Sequence, residues 1–157
     1  MTPQPSYDIA QQLLASKDYF DRSTRVLEEA DSEFRPNPEM MTAAQQVAHV
    51  AQTLDWFVEG AVEPDGFDLN FEKHAAELSA VASLSAARAH LDAAFSRAVE
   101  FCRTHDLSKP LPPGPIMGGQ PLSDIVWAMV EHTAHHRGAL TVYSRLLGKV
   151  PPMPYGG

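Results

Sequence analysis

The sequence predicts an all-α protein, and within that class a four-helix bundle. Three observations carry the prediction. Four long segments of roughly twenty residues or more place apolar side chains at steps of three, four and seven, the periods of a helix with one buried face. Proline- and glycine-rich breakers separate them: Arg35-Pro36-Asn37-Pro38, Pro64-Asp65-Gly66, and the stretch Asp106 to Pro121. The chain has 157 residues, 44% of them hydrophobic, which is enough for one real core and no sign of disorder. No internal repeat or low-complexity linker divides it, so residues 1–157 are expected to form a single domain.

The first helix is expected from about Tyr7 to Glu29 with Ser6 as N-cap, because Leu13, Phe20 and Leu27 recur every seven residues with Ser16 and Ser23 on the same seam. The second is expected from about Glu39 to Gly60, with Val47, Val50, Leu54, Phe57 and Ala61 as its apolar seam. Its other face is unusual. No charged residue occurs from Met40 to Leu54, and Thr42, Gln45, Gln46, His49, Gln52, Thr53 and Trp56 share one broad stripe. A solvent face normally carries Lys and Glu. A neutral polar stripe suits the wall of an internal polar cavity, with a lightly hydrated surface as the alternative.

A long connection from about Ala61 to Ser83 follows, with room for a short helix around Asn70 to Leu78. The third long helix is expected from Ser83 or Ser85 to about His105, marked by Leu84, Ala87, Leu91, Ala94, Ala98 and Phe101. The segment Asp106 to Pro121 holds five prolines, Pro110, Pro112, Pro113, Pro115 and Pro121, and cannot be helical. Pro121 sits where a fourth helix would begin, and that helix is expected to end near Gly148. The long links between helices two and three, and three and four, permit parallel neighbours. An interior site needs an entrance, so one of these two long irregular stretches is expected to border it.

The fourth helix carries the chemistry. His132-Thr133-Ala134-His135-His136-Arg137-Gly138 places three of the seven histidines within five residues. Residues four apart on a helix differ by about 40° and roughly 6 Å, so His132 and His136 leave the same face one turn apart. That geometry lets two imidazoles grip one metal ion. Both fall on a seam running Leu122, Ile125, Met129, His132, His136, Ala139, Tyr143 and Leu146, where the pattern otherwise calls for apolar groups. A buried polar group without a partner costs about 2–7 kcal/mol. The pair therefore needs a reason, either metal ligation or hydrogen bonding in the core.

Zinc sites with three protein ligands and one open position are the catalytic pattern. The third ligand would come from a facing helix, and His49 is the candidate because it alone among the remaining histidines lies on an uncharged helical face. His135 lies close enough in angle to replace His136 or to stay outside the ligand set. His74, His90 and His105 lie beside charged residues and read as surface histidines. A di-iron centre would need Glu-x-x-His motifs, and the chain has none.

Several functions are disfavoured. The net charge of −8 argues against nucleic acid or an anionic membrane as partner. No run approaches the roughly eighteen apolar residues of a membrane span, and no basic-then-apolar leader opens the chain, so a cytoplasmic location is expected. The single cysteine, Cys102, reads as a buried structural thiol. No Gly-rich phosphate loop, Gly-x-Ser-x-Gly elbow or His-Glu-x-x-His motif is present.

Two stretches carry a family resemblance: Ala44-Gln45-Gln46-Val47-Ala48-His49-Val50, and Glu131-His132-Thr133-Ala134-His135-His136-Arg137-Gly138. With the Leu146-Leu147-Gly148 and Pro151-Pro152 ending, the chain resembles the DinB-like, or YfiT-like, superfamily of metal-dependent proteins. The resemblance implies an up-down-down-up four-helix bundle, often a homodimer, with a divalent metal, zinc or nickel, on three histidines. Carried over, those are His49, His132 and His136. Characterised relatives use low-molecular-weight thiols such as mycothiol or bacillithiol in transfer and isomerisation. One departure is Ala139, where many relatives carry Gln. The implied function is a metal-dependent small-molecule thiol transferase, with a metal-dependent hydrolase or a non-catalytic bundle as alternatives. No side chain is an obvious general base: Glu131 reads as a surface charge, Tyr143 as packing, and Arg137 as either an anion contact or a solvent-facing group. As ligands, the histidines would be expected to protonate near pH 6.5 and release the metal in acid.

Overall fold

The computed structural model describes residues 8–156. Ser6 and Tyr7, expected at the start of the first helix, lie outside the described residues. Five helices follow in order: α1 (Ile9–Thr24), α2 (Ala43–Val62), α3 (Phe71–Ser79), α4 (Leu84–Thr104) and α5 (Leu122–Leu146). A single 3-10 turn, Glu29–Asp31, follows α1, and there is no strand among the described residues.

The four long helices bury one shared core, with Leu13 and Phe20 from α1, Val47 and Leu54 from α2, Leu91 and Phe95 from α4, and Ile125, Met129 and Leu140 from α5. Packing runs in a ring: α1 against α5, α5 against α2, α2 against α4, and α4 against α1. Cross-helix polar contacts fix who meets whom. Lys17 pairs with Asp92, and the Arg88 guanidinium reaches Thr24. Asp55 accepts from both Arg97 and His90. On the α2–α5 side, Gln46 meets Tyr143 while Thr53 lies beside His132, so position rises on one helix as it falls on the other.

Two helix boundaries and one buried seam differ from expectation. α1 is capped by Asp8, whose carboxylate accepts from Ala10 N at 3.0 Å, and it stops at Thr24 instead of running to Glu29. The Thr24 hydroxyl donates back to Phe20 O, and Arg88 takes the Thr24 carbonyl at 2.8 Å. Glu28 N then finds the Asp31 carboxylate, and the chain turns. α2 begins at Ala43, four residues later than Glu39, because Thr42 and Gln45 form a reciprocal capping box there.

The third difference concerns α5. A straight helix of 3.6 residues per turn drifts against a strict seven-residue repeat. The buried stripe therefore slides from Leu122, Ile125 and Met129 to Thr133, His136, Leu140, Tyr143 and Ser144. Leu146, expected on the seam, is 59% exposed, and His132 sits at the stripe's edge.

The proline-rich segment before α5 is irregular, as expected, and ordered by its own backbone. Leu111 N donates to Gln120 O, and Gly119 N to Leu111 O. Pro121 offers α5 no side-chain cap, but Leu122 N and Ser123 N donate to the carbonyls of Lys109 and Leu107. Gly148, with φ of 75°, closes α5 in the left-handed conformation glycine adopts without strain.

Candidate metal centre

The site lies where α2 faces α5. His49 projects from α2, and His132 and His136 from α5. Nε2 of His132 lies 3.3 Å from Nε2 of His49 and 3.2 Å from Nε2 of His136. Ligand atoms of all three lie within 4.8 Å of one another. Nitrogens about 2.0–2.1 Å from a tetrahedral zinc stand about 3.3–3.4 Å apart. The two separations from His132 lie close to that edge.

Second partners hold two of the rings in the tautomer a metal needs. The Met41 carbonyl can only accept, so the Tyr143 hydroxyl donates to it at 2.7 Å. The Tyr143 oxygen then accepts from Gln46 Nε2 at 3.2 Å. This turns Gln46 Oε1 toward His136 Nδ1, with which it makes a hydrogen bond. An amide oxygen only accepts, so Nδ1 carries the proton and Nε2 presents its lone pair to the centre. The same logic runs on the other side. Gln52 Nε2 donates to the His74 carbonyl at 3.0 Å, which leaves Gln52 Oε1 facing His49 Nδ1 at 3.5 Å. The donor set thus fits a divalent metal: three converging imidazoles, with the lone pairs of His49 and His136 directed by their neighbours.

Electrostatics agree. Burial, together with the neighbouring histidines, pushes the His136 pKa down to about 3 and the His132 pKa down to about 4. Burial lowers His49 as well, against the hydrogen bond it donates to Gln52, which raises it. All three are neutral at pH 7, the protonation state of a ligand. The expectation that they protonate near pH 6.5 is corrected accordingly: desolvation moves the event to lower pH.

The centre opens on one side. A cleft of about 180 Å³ is lined by His49, Gln52, Thr53, Trp56, Phe71, His74 and His132. Four residues of the neutral stripe of α2, His49, Gln52, Thr53 and Trp56, therefore form a cleft wall, and none of the seven is exposed. Thr42 and Gln45 instead cap the helix, and the cleft is open and mainly apolar where an internal polar cavity was expected. The connection between α2 and α4 supplies the facing wall through Phe71 and His74. His74, expected at the surface, instead helps to line the cleft. Its ring lies 3.6 Å from the Asp68 carboxylate, its side chain is only 19% exposed, and its backbone anchors Gln52. His90 and His105 are exposed, as expected.

The remaining candidates are resolved by position. His135 is exposed and stands edge-on to His136, outside the cluster. Arg137 packs over the Tyr155 ring of the C-terminal tail, 5.9 Å from its centroid, and does not line the cleft. Glu131 is exposed. Cys102 is half-buried, less enclosed than expected, and burial pushes its thiol up to about 11. Sequence reasoning missed the roles of Gln46, Gln52 and Tyr143. The spacing carried a signal, since Gln46 and Gln52 flank His49 at three residues on either side, on the same helical face.

Fold and site together define an all-helical protein with three histidines positioned to hold a divalent metal. The chain belongs to the DinB superfamily, whose family model matches residues 12–140, a span that takes in all three histidines. No curated protein matches the chain.

Proposed function

We propose that this protein is a metal-dependent enzyme that transfers a low-molecular-weight thiol to a small electrophile, with one zinc or nickel ion held by His49, His132 and His136. The observation that carries the reading is the convergence of three histidine nitrogens, two of them on residues that line an open cleft (His49 and His132), with no fourth His, Cys, Asp or Glu in the cluster among the described residues. Structural zinc sites are closed by four protein ligands, whereas catalytic sites keep one position free. When bound, such a metal supplies a position at which a thiol is held as thiolate at neutral pH.

The chain's own residues then bind and orient. Gln46 and Gln52 keep the proton on the outer nitrogens of His136 and His49. Trp56 and Phe71 offer apolar faces to the organic part of a ligand. The cleft lining contains no lysine or arginine, which favours an uncharged electrophile over an anionic one. Cys102 is absent from the lining, and a thiol with a pKa of about 11 is a poor nucleophile at neutral pH. This supports a nucleophile brought by the cosubstrate.

An up-down-down-up order of helix directions, a homodimeric assembly and a cytoplasmic location belong to the same proposal. The antiparallel pairs between α1 and α4 and between α2 and α5 are in keeping with the first. No helix among the described residues is long and apolar enough to cross a membrane. The test of function is a panel of low-molecular-weight thiols with a generic electrophile, comparing metal-loaded, chelator-treated and His132→Ala protein. Faster reaction of at least one thiol only with metal-loaded wild type is expected. No acceleration by the loaded form with any thiol would overturn thiol transfer.

A further inference from the structure

We propose that Gln52 is a positioning residue that couples docking of α3 over the cleft to the metal-binding form of His49. The inference rests on the assignment of His49 as a ligand and goes beyond it. α3 contributes no fully buried residue, and beyond Leu78, which packs partly buried against the core, its place over α2 depends on a few directed contacts. Trp56 Nε1 donates to Asp68 O at 2.8 Å, Gln52 Nε2 donates to His74 O at 3.0 Å, and the Trp56 and Phe71 rings meet at 6.3 Å. These contacts bring Phe71 and His74 into the cleft wall.

Gln52 faces two ways. Its amide nitrogen is committed to the His74 carbonyl of α3, because that carbonyl accepts and never donates. Its amide oxygen is thereby turned to His49 Nδ1. An oxygen there selects the tautomer with the proton on Nδ1 and the lone pair on Nε2, the atom that faces His132. If α3 lifts, the amide loses the partner that fixes its orientation. Rotated, it offers N–H to Nδ1 and selects the other tautomer, whose protonated Nε2 cannot ligate. Docked α3 therefore favours metal binding. By reciprocity of coupled equilibria, bound metal favours docked α3 by the same factor. The cleft wall is then complete when the metal is in place.

Two substitutions separate the two ends of the amide. Gln52→Leu removes both. Gln52→Glu keeps an oxygen acceptor for His49 Nδ1–H but cannot donate to the His74 carbonyl. Metal affinity is read by cobalt(II) titration of the full chain through its visible absorbance, and α3 docking by hydrogen exchange of residues 70–80 with and without cobalt. In wild type, cobalt is expected to slow exchange in α3. Gln52→Leu is expected to bind cobalt about 10–100-fold more weakly, the usual cost of losing a partner behind a ligand. Its α3 should exchange fast with or without metal. Gln52→Glu is expected to restore affinity to within about threefold of wild type while α3 still exchanges fast.

Wild-type affinity in Gln52→Leu, or α3 exchange in wild type that ignores cobalt, would overturn the coupling. If Gln52→Leu does not fold, Gln52→Glu decides alone: α3 protected by cobalt as in wild type refutes the proposal. His132→Ala is titrated alongside. Undiminished cobalt binding by that variant would instead show that the three-histidine assignment itself is wrong.

Discussion

The sharpest consequence of the site's construction concerns Gln46, a residue that touches no metal position. Gln46 is 5% exposed, and its side chain links His136 Nδ1 to the Tyr143 hydroxyl. Gln46→Leu keeps the volume and removes the acceptor. Tyr143 retains the Met41 carbonyl, so its hydroxyl proton stays paired. His136 Nδ1–H does not, and a buried donor left without a partner costs about 1–3 kcal/mol. For a chain of this size each kcal/mol moves the melting temperature by about 2–4 °C, so the metal-free variant is expected to melt roughly 2–12 °C below wild type. The ring is also free to move its proton to Nε2, so metal affinity is expected to fall about 10–100-fold. That is about 1.4–2.8 kcal/mol, the same size as the hydrogen bond that was lost. Thermal unfolding of chelator-treated protein gives the first quantity, and competition against a chelating dye gives the second. Gln46→Glu, which keeps an acceptor facing Nδ1, is expected to recover most of the affinity. Wild-type metal binding by Gln46→Leu would refute the relay.

Two further predictions follow from the titrating groups. Unfolded, each imidazole takes up a proton near pH 6.5. Folded, His132 resists until about pH 4 and His136 until about pH 3. Between about pH 4 and 6.5 the unfolded chain holds more protons than the folded one, so stability rises with pH there. Metal-free protein is expected to reach full stability above about pH 6.5 and to lose it progressively as the pH falls toward 4. Melting temperatures of chelator-treated protein across that range check this, and a flat or inverted profile contradicts it. The second concerns Cys102, whose thiol is pushed up to about 11 by burial and by nearby Asp8. Iodoacetamide at pH 7 is expected to modify it at least about tenfold more slowly than free cysteine, whose pKa is about 8.5. Cys102→Ala should keep any thiol-transfer activity, and loss of that activity would implicate the side chain in chemistry.

What was legible in the sequence was the part that depends on period and exclusion. The apolar spacing marked four long helices, and the structure has them because each buries one face in a common core. His132 and His136 stood out because they occupied seam positions, and His49 because the face around it was uncharged. The structure brings the three together. Less legible was everything fixed by tertiary partners. α1 stops at Thr24 because Arg88, far along the chain, takes its terminal carbonyl. The seam on α5 drifts, so Leu146 faces out and Thr133 and Ser144 face in. Burial alone separates His132 at the stripe's edge from His136 inside it. His74 read as a surface histidine from its charged neighbours, but docking of α3 on Trp56 and Gln52 turns it into the cleft wall. The roles of Gln46 and Gln52 depend on which end of an amide faces which atom, and no spacing rule encodes that.

Everything proposed for the site requires one divalent metal on His49, His132 and His136 with a position left free. The most direct measurement is an anomalous difference map from crystals of metal-loaded protein, collected at the absorption edge of the bound metal. A single peak is expected about 2.0–2.1 Å from Nε2 of each of the three histidines, with a non-protein ligand or solvent completing the shell. A map with no peak between the three rings, or a peak closed by a fourth protein side chain, would contradict it.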